Sequence, residues 1–297
     1  MIRIGVDLGG TKTEAVALGR GGVEMARQRV ASPRGDYAAT IRAIQDLVLG
    51  LEARLAERGT VGVGIPGTIS PASGLVKNAN STWLIGRPFH TDLERALGRE
   101  VRLANDADCF ALSEATDGAG AGAPTVFGVI LGTGVGGGLV VNGRLVGGPN
   151  AIAGEWGHNP LPWPTDDERP GPTCYCGKTG CVETFLSGPG LARDMATATG
   201  REATAAAICA EGSAESDAAL ARYEERLARA LATVINVIDP HVIVLGGGMS
   251  KVERLYANVP ALLDRWVFSD RVETRLLPPR HGDSSGVRGA AWLWPEA

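Results

Sequence analysis

The segment Ile2-Arg3-Ile4-Gly5-Val6-Asp7-Leu8-Gly9-Gly10-Thr11-Lys12-Thr13-Glu14-Ala15-Val16-Ala17-Leu18 decides the fold. Ile2 to Asp7 is a short apolar run that reads as a strand. Gly9-Gly10 turns the chain, and Glu14 to Leu18 reads as a second strand, giving a hairpin with a glycine-rich tip. The pattern then returns: Gly128-Val129-Ile130-Leu131-Gly132 echoes Gly5-Val6-Asp7-Leu8-Gly9. Asn142-Gly143 supplies a hairpin turn into Arg144-Leu145-Val146. The echo predicts two domains of similar plan. The Gly-Ala-Gly-Ala-Gly stretch at 118–122 is the natural boundary, giving a smaller domain over 1–117 and a larger one over 118–285.

Strands and helices alternate around these hairpins, which predicts an α/β protein. Ile41, Ile44, Leu47, Val48, Leu51 and Leu55 recur at helical spacing, predicting an amphipathic helix over 37–57. Val61 to Ile65 is a buried strand ended by Pro66-Gly67. Val101-Arg102-Leu103 is a strand, and a helix begins by Cys109. Five prolines between Asn159 and Thr173 predict a loop long enough to be functional. Helical segments follow over 188–237, with Leu220, Tyr223, Leu227, Leu231, Val234 and Ile238 on one face. Val242 to Leu245 is a buried strand ending in Gly246-Gly247-Gly248, and 286–294 reads as a short apolar helix.

The chain has 297 residues, 44% of them hydrophobic and 21% charged, which excludes disorder, collagen and coiled coil. A net charge of -4 argues against a nucleic-acid partner, which would need a basic face. No signal-peptide core precedes the first strand. The longest weakly polar run, Val126 to Val141, is glycine-rich and shorter than a membrane span of about 20 residues. The expectation is a reduced, cytoplasmic protein. Glycine, at 42 of 297, is about twice as frequent as usual and gathers at strand ends, where backbone approaches ligands.

Three of these clusters are Gly9-Gly10-Thr11-Lys12-Thr13, Gly132-Thr133-Gly134-Val135-Gly136-Gly137-Gly138 and Gly246-Gly247-Gly248. Backbone N–H groups at such turns form concave anion sites. No segment fits a Walker A loop. Gly132, Gly134 and Gly137 match the Rossmann spacing, and Glu155 follows at a suitable distance. A hairpin follows instead of the helix that motif requires, so the match is rejected. Asp7, at the end of the first strand, can hold hydrated Mg²⁺ near phosphates. The second hairpin has Ile130 at the matching place, so only the first carries the acid.

Cys174, Cys176 and Cys181 form a loop cluster, with His158 sixteen positions before it. One His and three Cys make a closed, structural type of zinc site. Cys109 and Cys209 read as core thiols. Asn105-Asp106-Ala107-Asp108 follows a strand and opens a helix, so it is either a helix N-cap or a pair of cleft carboxylates. Glu155 and Glu183 bracket the cysteine loop. With Asn78, Asn80 and Trp83 they are candidates for meeting polyol hydroxyls.

The segments DLGGTKT (7–13), LANDAD (103–108), LGTGVGGG (131–138), AGEWGH (153–158), CYCGKTGCVE (174–183) and VLGGG (244–248) resemble the ROK family of sugar kinases and repressors. The resemblance covers essentially the whole chain. GIPGTISPASGLVKNANSTWL (64–84), GEWGHNPLPW (154–163) and HGDSSGVRGAAWLWP (281–295) further resemble its bacterial fructokinase (manno-fructokinase) branch. The resemblance implies a two-domain actin-like or hexokinase-like ATPase fold, with the first domain completed by the C-terminal helix, 286–297. It implies ATP-dependent phosphorylation of D-fructose at the 6-position, with mannose a secondary substrate. A glucokinase or N-acetylhexosamine kinase is the alternative.

By carry-over, Asp106 matches the catalytic base. Gly67, Asn80, Asn105, Asp106, Glu155, His158 and Glu183 match sugar-binding positions. The nucleotide set comprises Gly5, Asp7, Leu8, Gly9, Gly10, Thr11 and Lys12; Thr133, Gly134, Val135, Gly136, Gly137 and Gly138; and Gly247 and Gly248. Structural Zn²⁺ falls to His158, Cys174, Cys176 and Cys181, with the second His158 nitrogen turned to a sugar hydroxyl. Asp106 would take the proton of the primary hydroxyl as its oxygen attacks the γ-phosphorus in line. Mg²⁺ would sit at Asp7, and the family favours a homodimer. A repressor would need an N-terminal helix-turn-helix, and the first strand already begins at Ile2. A sugar-binding module without nucleotide chemistry would not need Asp106 and three phosphate turns.

Overall fold

The computed structural model describes residues 1–296. The chain opens with β1 (Arg3–Leu8), β2 (Lys12–Leu18) and β3 (Glu24–Ala31), then α1 (Tyr37–Leu55) and β4 (Thr60–Ile65). A small ribbon, β5 (Thr68–Ile69) and β6 (Val76–Lys77), precedes α2 (Phe89–Leu97), β7 (Val101–Asn105) and α3 (Asp106–Thr116). The second half repeats the opening with β8 (Thr125–Leu131), β9 (Val135–Val141) and β10 (Arg144–Leu145). Helices α4 (Val182–Leu186), α5 (Gly188–Thr199), α6 (Ala205–Glu211) and α7 (Ala214–Ile238) follow. The chain closes with β11 (Val242–Gly246), α8 (Arg254–Leu263), β12 (Arg275–Leu277) and α9 (Ser285–Trp292).

The echo between the two hairpins is a duplicated sheet. One sheet runs β3-β2-β1-β4-β7 and the other β10-β9-β8-β11-β12. In each, a hairpin pairs antiparallel and later strands join in parallel. Asp7 faces Glu14 and Gly64 in the first sheet, where Ile130 faces Gly136 and Gly246 in the second.

Local chemistry sets the helix ends. The Asp36 side chain caps α1 by accepting the Ala39 N–H at 2.9 Å, and Ala56 ends it in the left-handed region, two residues before the expected stop. The helical stretch expected over 188–237 resolves into three helices, broken at Gly200 and Gly212 in left-handed conformations. Along α7, Leu220, Tyr223, Leu227, Leu231 and Val234 are buried, while Ile238 is half-buried.

The last helix of each half crosses to the other half. Helix α9 lies on β1 and β4, where a β-carbon at Gly62 would overlap the Ala290 carbonyl. Helix α3 lies on β8 and β9, where a β-carbon at Gly128 would stand 2.6 Å from that of Ala111. A boundary at 117/118 assigns α3 to the first lobe, but its packing is chiefly with the second sheet and with α9. Glu114 fastens the crossing. Its fully buried carboxylate accepts Ser285 Oγ at 2.7 Å, Arg280 N at 3.0 Å and Ala119 N at 2.8 Å.

The proline-rich segment is a loop with one 3-10 turn at Asp166–Glu168. Buried Glu168 in that turn pairs with Arg226 and Arg229 at 2.7 Å each. These guanidinium bonds outweigh burial and hold its carboxyl down at about 2. The loop therefore has an ionic anchor on α7 besides the cysteine cluster. No helix among the described residues is long and apolar enough to cross a membrane.

Candidate functional site

The two lobes enclose a cleft of about 880 Å³. The first lobe contributes Pro66, Gly67, Asn78 and Asn80. The start of α3 contributes Asn105 and Asp106. The second lobe contributes the turn and strand from Gly132 to Gly137, with Glu155, His158, Asn159, Tyr175, Cys176, Lys178 and Glu183. A second cleft, about 1020 Å³, meets the first at Gly132 and Thr133. Its walls are Gly188, Pro189 and Ala192 of α5, Ala205, Ala206, Cys209 and Ala210 of α6, and Gly248, Met249 and Lys251 to Arg254. One pocket rich in carboxylates and amides thus joins a more apolar one at a glycine turn.

Asn105 and Asp106 divide the two roles the sequence left open. Asn105 is the N-cap of α3: its Oδ1 accepts the Ala107 N–H at 2.9 Å, and its Nδ2 donates to the Gly67 carbonyl at 3.0 Å. Both of its polar ends are used within the protein. Asp106, the first helical residue, keeps its side chain in the cleft, reachable by solvent but walled by protein. That enclosure pushes its carboxyl up, Glu155 adds to the rise, and the Ala107 N–H at 2.8 Å opposes it. Asp108 points away from the cleft lining. Burial, then Glu155 and Asp106, raise it to about 7, and its buried Oδ1 has no hydrogen-bond partner.

Asp7, next to the last residue of β1, lies beside the start of α9, where a β-carbon at Gly286 would lie 3.4 Å from its Oδ2. Burial raises its carboxyl to about 7, and Asp106 and Glu14 push the same way while Lys12 opposes them. Asp7 lines neither cleft, but its carboxylate is near enough to that of Asp106 to be raised by it, and paired carboxylates suit a divalent cation. The neighbouring turn is braced from β3: Ser32 Oγ donates to the Gly9 carbonyl at 2.6 Å, and Arg34 Nε to that of Gly10 at 2.7 Å.

Several expected nucleotide positions lie off the two cleft surfaces. Gly5 is buried beneath α9, its missing β-carbon making room for the Val287 carbonyl, so it serves packing instead of a ligand. Leu8 is a core residue. Gly138 lies under α3, where a β-carbon would stand 2.8 Å from the Ala107 carbonyl. Gly247 folds against Leu131, with φ +79°, while Gly248 lines the apolar cleft. Gly9, Gly10, Thr11 and Lys12 form the first-lobe turn without lining either cleft. Thr133 to Gly137 line the polar cleft.

His158, Cys174, Cys176 and Cys181 converge, with their ligand atoms within 4.8 Å of one another. Cys174 Sγ is 3.6 Å from His158 Nδ1, and Cys176 Sγ is 3.6 Å from Cys181 Sγ. A tetrahedral zinc with Zn–S bonds near 2.3 Å has ligand–ligand edges of about 3.8 Å, so the donor set fits that ion. His158 Nε2, expected to face a sugar hydroxyl, lies 2.9 Å from the Tyr175 hydroxyl instead. Tyr175 was not among the expected residues. Its place between two cluster cysteines was the available signal. Trp83 turns its Nε1 to Thr40 Oγ1 at 3.3 Å and leaves the cleft lining. Cys109 is a core thiol, whereas Cys209 is half-buried and lines the apolar cleft. The helix walls of that cleft were also missed, because α5 and α6 show no ligand motif.

The chain is 39% identical to the N-acetyl-D-glucosamine kinase of Yersinia enterocolitica over 97% of its own length and 98% of the relative's. It is 40% identical to the enzyme of that name from Vibrio cholerae, over 97% and 98%. A crystal structure of a ROK family glucokinase from Streptomyces griseus, in complex with glucose and AMPPNP, superposes with a TM-score of 0.78 at 26% identity over 99% of both chains. These relatives correct the expected fructokinase branch: at this identity and coverage the curated names are those of N-acetylglucosamine kinases. Of the stretches taken to mark the branch, 64–84 and 154–163 contribute residues to the polar cleft, while 281–295 contributes to neither cleft. The ROK family model matches residues 3–297, nearly the whole sequence, and the relatives agree with it: the chain belongs to the ROK family.

Proposed function

We propose that this protein is an ATP-dependent hexose kinase that phosphorylates the primary hydroxyl of N-acetyl-D-glucosamine, working in the cytoplasm as a homodimer. The identity of 39–40% to N-acetyl-D-glucosamine kinases across nearly the whole chain carries the choice of sugar. The cleft supports it: Asp106, Glu155 and Glu183 offer acceptors for ring hydroxyls, and Ile152 and Tyr175 offer apolar surface to an acetamido methyl. The family resemblance supports the homodimer. The adjoining apolar cleft suits an adenosine, and AMPPNP, an ATP analogue, is bound in the glucokinase structure.

In this reading Asp106 accepts the proton of the 6-hydroxyl, and its raised affinity for protons suits a base that must take one near neutral pH. The alkoxide-like oxygen attacks the γ-phosphorus in line, and the ADP oxygen leaves. The N–H groups of Thr133 and Gly134 meet the charge that spreads over the transferring group, that of Gly132 being bonded to the Gly134 carbonyl. Asp7 would hold Mg²⁺, which supplies charge neutralisation for the phosphates. His158, Cys174, Cys176 and Cys181 would hold zinc, which supplies rigidity to the loop carrying Tyr175 and Glu183. Domain closure would exclude water and so limit ATP hydrolysis.

An ADP-release assay with Mg·ATP tests the proposal against N-acetylglucosamine, N-acetylmannosamine, glucose and fructose. The highest kcat/KM is expected with N-acetylglucosamine. A clear preference for another sugar overturns the specificity, and no turnover with any of them overturns the kinase reading.

A further inference from the structure

Glu183 was assigned above to a sugar hydroxyl, but its surroundings give it a second task. It lies in the first turn of α4, two residues after Cys181, so the Cys/His cluster fixes where its side chain begins. Its Oε2 accepts the N–H of Val135 at 2.9 Å. Val135 begins β9 and closes the Gly132–Gly134 turn. A β-carbon on Gly134 would stand 2.6 Å from the same oxygen, so the carboxylate occupies the space a side chain at 134 would take. Oε1 lies 3.9 Å from Cys174 Sγ, and Glu183 as a whole lines the polar cleft.

The turn has two other backbone supports, and one is internal: the Gly132 N–H donates to the Gly134 carbonyl at 3.0 Å. Glycine fills 132, 134, 136, 137 and 138, so the segment has little side-chain packing to fix its conformation. The Gly188 N–H holds one end by donating to the Gly132 carbonyl at 2.8 Å. The bond from Val135 to a carboxylate holds the other, and a charge-assisted bond to backbone is among the stronger ones available.

We infer that Glu183 is a positioning residue for the phosphate donor: from the Cys/His loop it fixes the Gly132–Gly134 turn through the Val135 N–H. The inference rests on the reading of that turn as the donor-phosphate cradle. One carboxylate then reaches both substrates. Oε2 orders the donor side, while Oε1 is left for the acceptor. The cysteine loop then bears on the nucleotide site as well as on the sugar.

The test is nucleotide affinity without sugar, by calorimetric titration of Mg·AMPPNP into the zinc-replete protein. Glu183→Ala is expected to weaken binding at least about tenfold, the size of a lost bond to a charged group. Glu183→Gln keeps an oxygen for Val135 and is expected to stay within about fivefold of wild type. Gly134→Ala leaves the metal cluster untouched, and its backbone is not in the left-handed region. Its methyl displaces the carboxylate, so it should match the loss in Glu183→Ala and add little to it in the double variant. Hydrogen exchange at the Val135 amide gives an independent readout: faster in Glu183→Ala and Gly134→Ala, protected in Glu183→Gln. Unchanged nucleotide affinity in Glu183→Ala, where Thr133→Ala does weaken binding, overturns the positioning role alone. If neither change matters, the turn is not the nucleotide's seat and the underlying reading falls with it.

Discussion

Replacing Gly128 by alanine should move Asp106, the proposed base, without touching it. The new methyl would stand 2.6 Å from the β-carbon of Ala111 and 2.8 Å from its α-carbon. Carbon atoms prefer roughly 3.5–4.0 Å, so α3 must lift from β8 by about 1 Å. Both residues are buried within a continuous sheet and helix, so the strain has no solvent-side outlet. Overpacking of this kind costs about 1–3 kcal/mol. A chain of this length unfolds with an entropy near 0.6 kcal/mol per kelvin, which makes the expected fall in Tm about 2–5 °C. The kinetic effect should be larger in proportion, because Asp106 is the first residue of the helix that moves. A displacement of about 1 Å can reduce turnover on the order of a hundredfold. Differential scanning calorimetry and steady-state kinetics measure the two effects. Gly147→Ala is the control, since a β-carbon there meets nothing within 4 Å. A Gly128→Ala protein with Tm within 1 °C and kcat within twofold of wild type would refute the claim that this close approach sets the position of α3.

Three further outcomes are expected. Asp106→Asn should lower kcat by about 10²- to 10⁴-fold with sugar still bound, and near-normal turnover would remove it as the base. Cys176→Ala should lose zinc by elemental analysis and weaken sugar binding; full metal content would refute the ligand set. Asp108 binds its proton more tightly when folded than its ordinary value of 3.8 allows, so folding stability falls as pH rises from about 4 to about 7 and is level above that. Asp108→Asn removes the burden of ionising it, so its gain in Tm over wild type should be larger at pH 8 than at pH 5. An equal gain at both pH values would count against a buried, unpartnered carboxylate.

The duplicated hairpins were legible because a buried strand and a glycine turn are local signals. The Cys/His cluster was legible because three cysteines within eight residues, with a histidine shortly before them, are a compact donor set. The crossing of α3 and α9 was not fully legible: an apolar helix shows one greasy face but not which sheet it covers. For the same reason Gly5 reads as part of a ligand turn, when it is a smooth place for Val287 and its neighbours to lie. Asn105 has a structural task that its position does not announce, since each polar end makes one bond to backbone while the residue also lines the cleft. The apolar cleft escaped notice because α5 and α6 bring alanine, proline and glycine to it, residues without chemistry of their own. The choice of hexose was not legible, since discrimination of one ring substituent rests on the placement of a few polar groups that sequence spacing does not give.

The exchange of helices between lobes bears on how the chain comes to be made. During synthesis the first sheet emerges early, but the face holding Gly5 and Gly62 has no cover until residues 285–292 follow. The early lobe must therefore wait with an apolar surface bare while nearly two hundred further residues are added. Neither half is a self-sufficient fragment: a cut near 118–122 would leave each piece holding the other's lid. The last turn of the chain is thus the step that commits both lobes at once, and loss of a dozen C-terminal residues should be felt first in the part of the protein that was synthesised first.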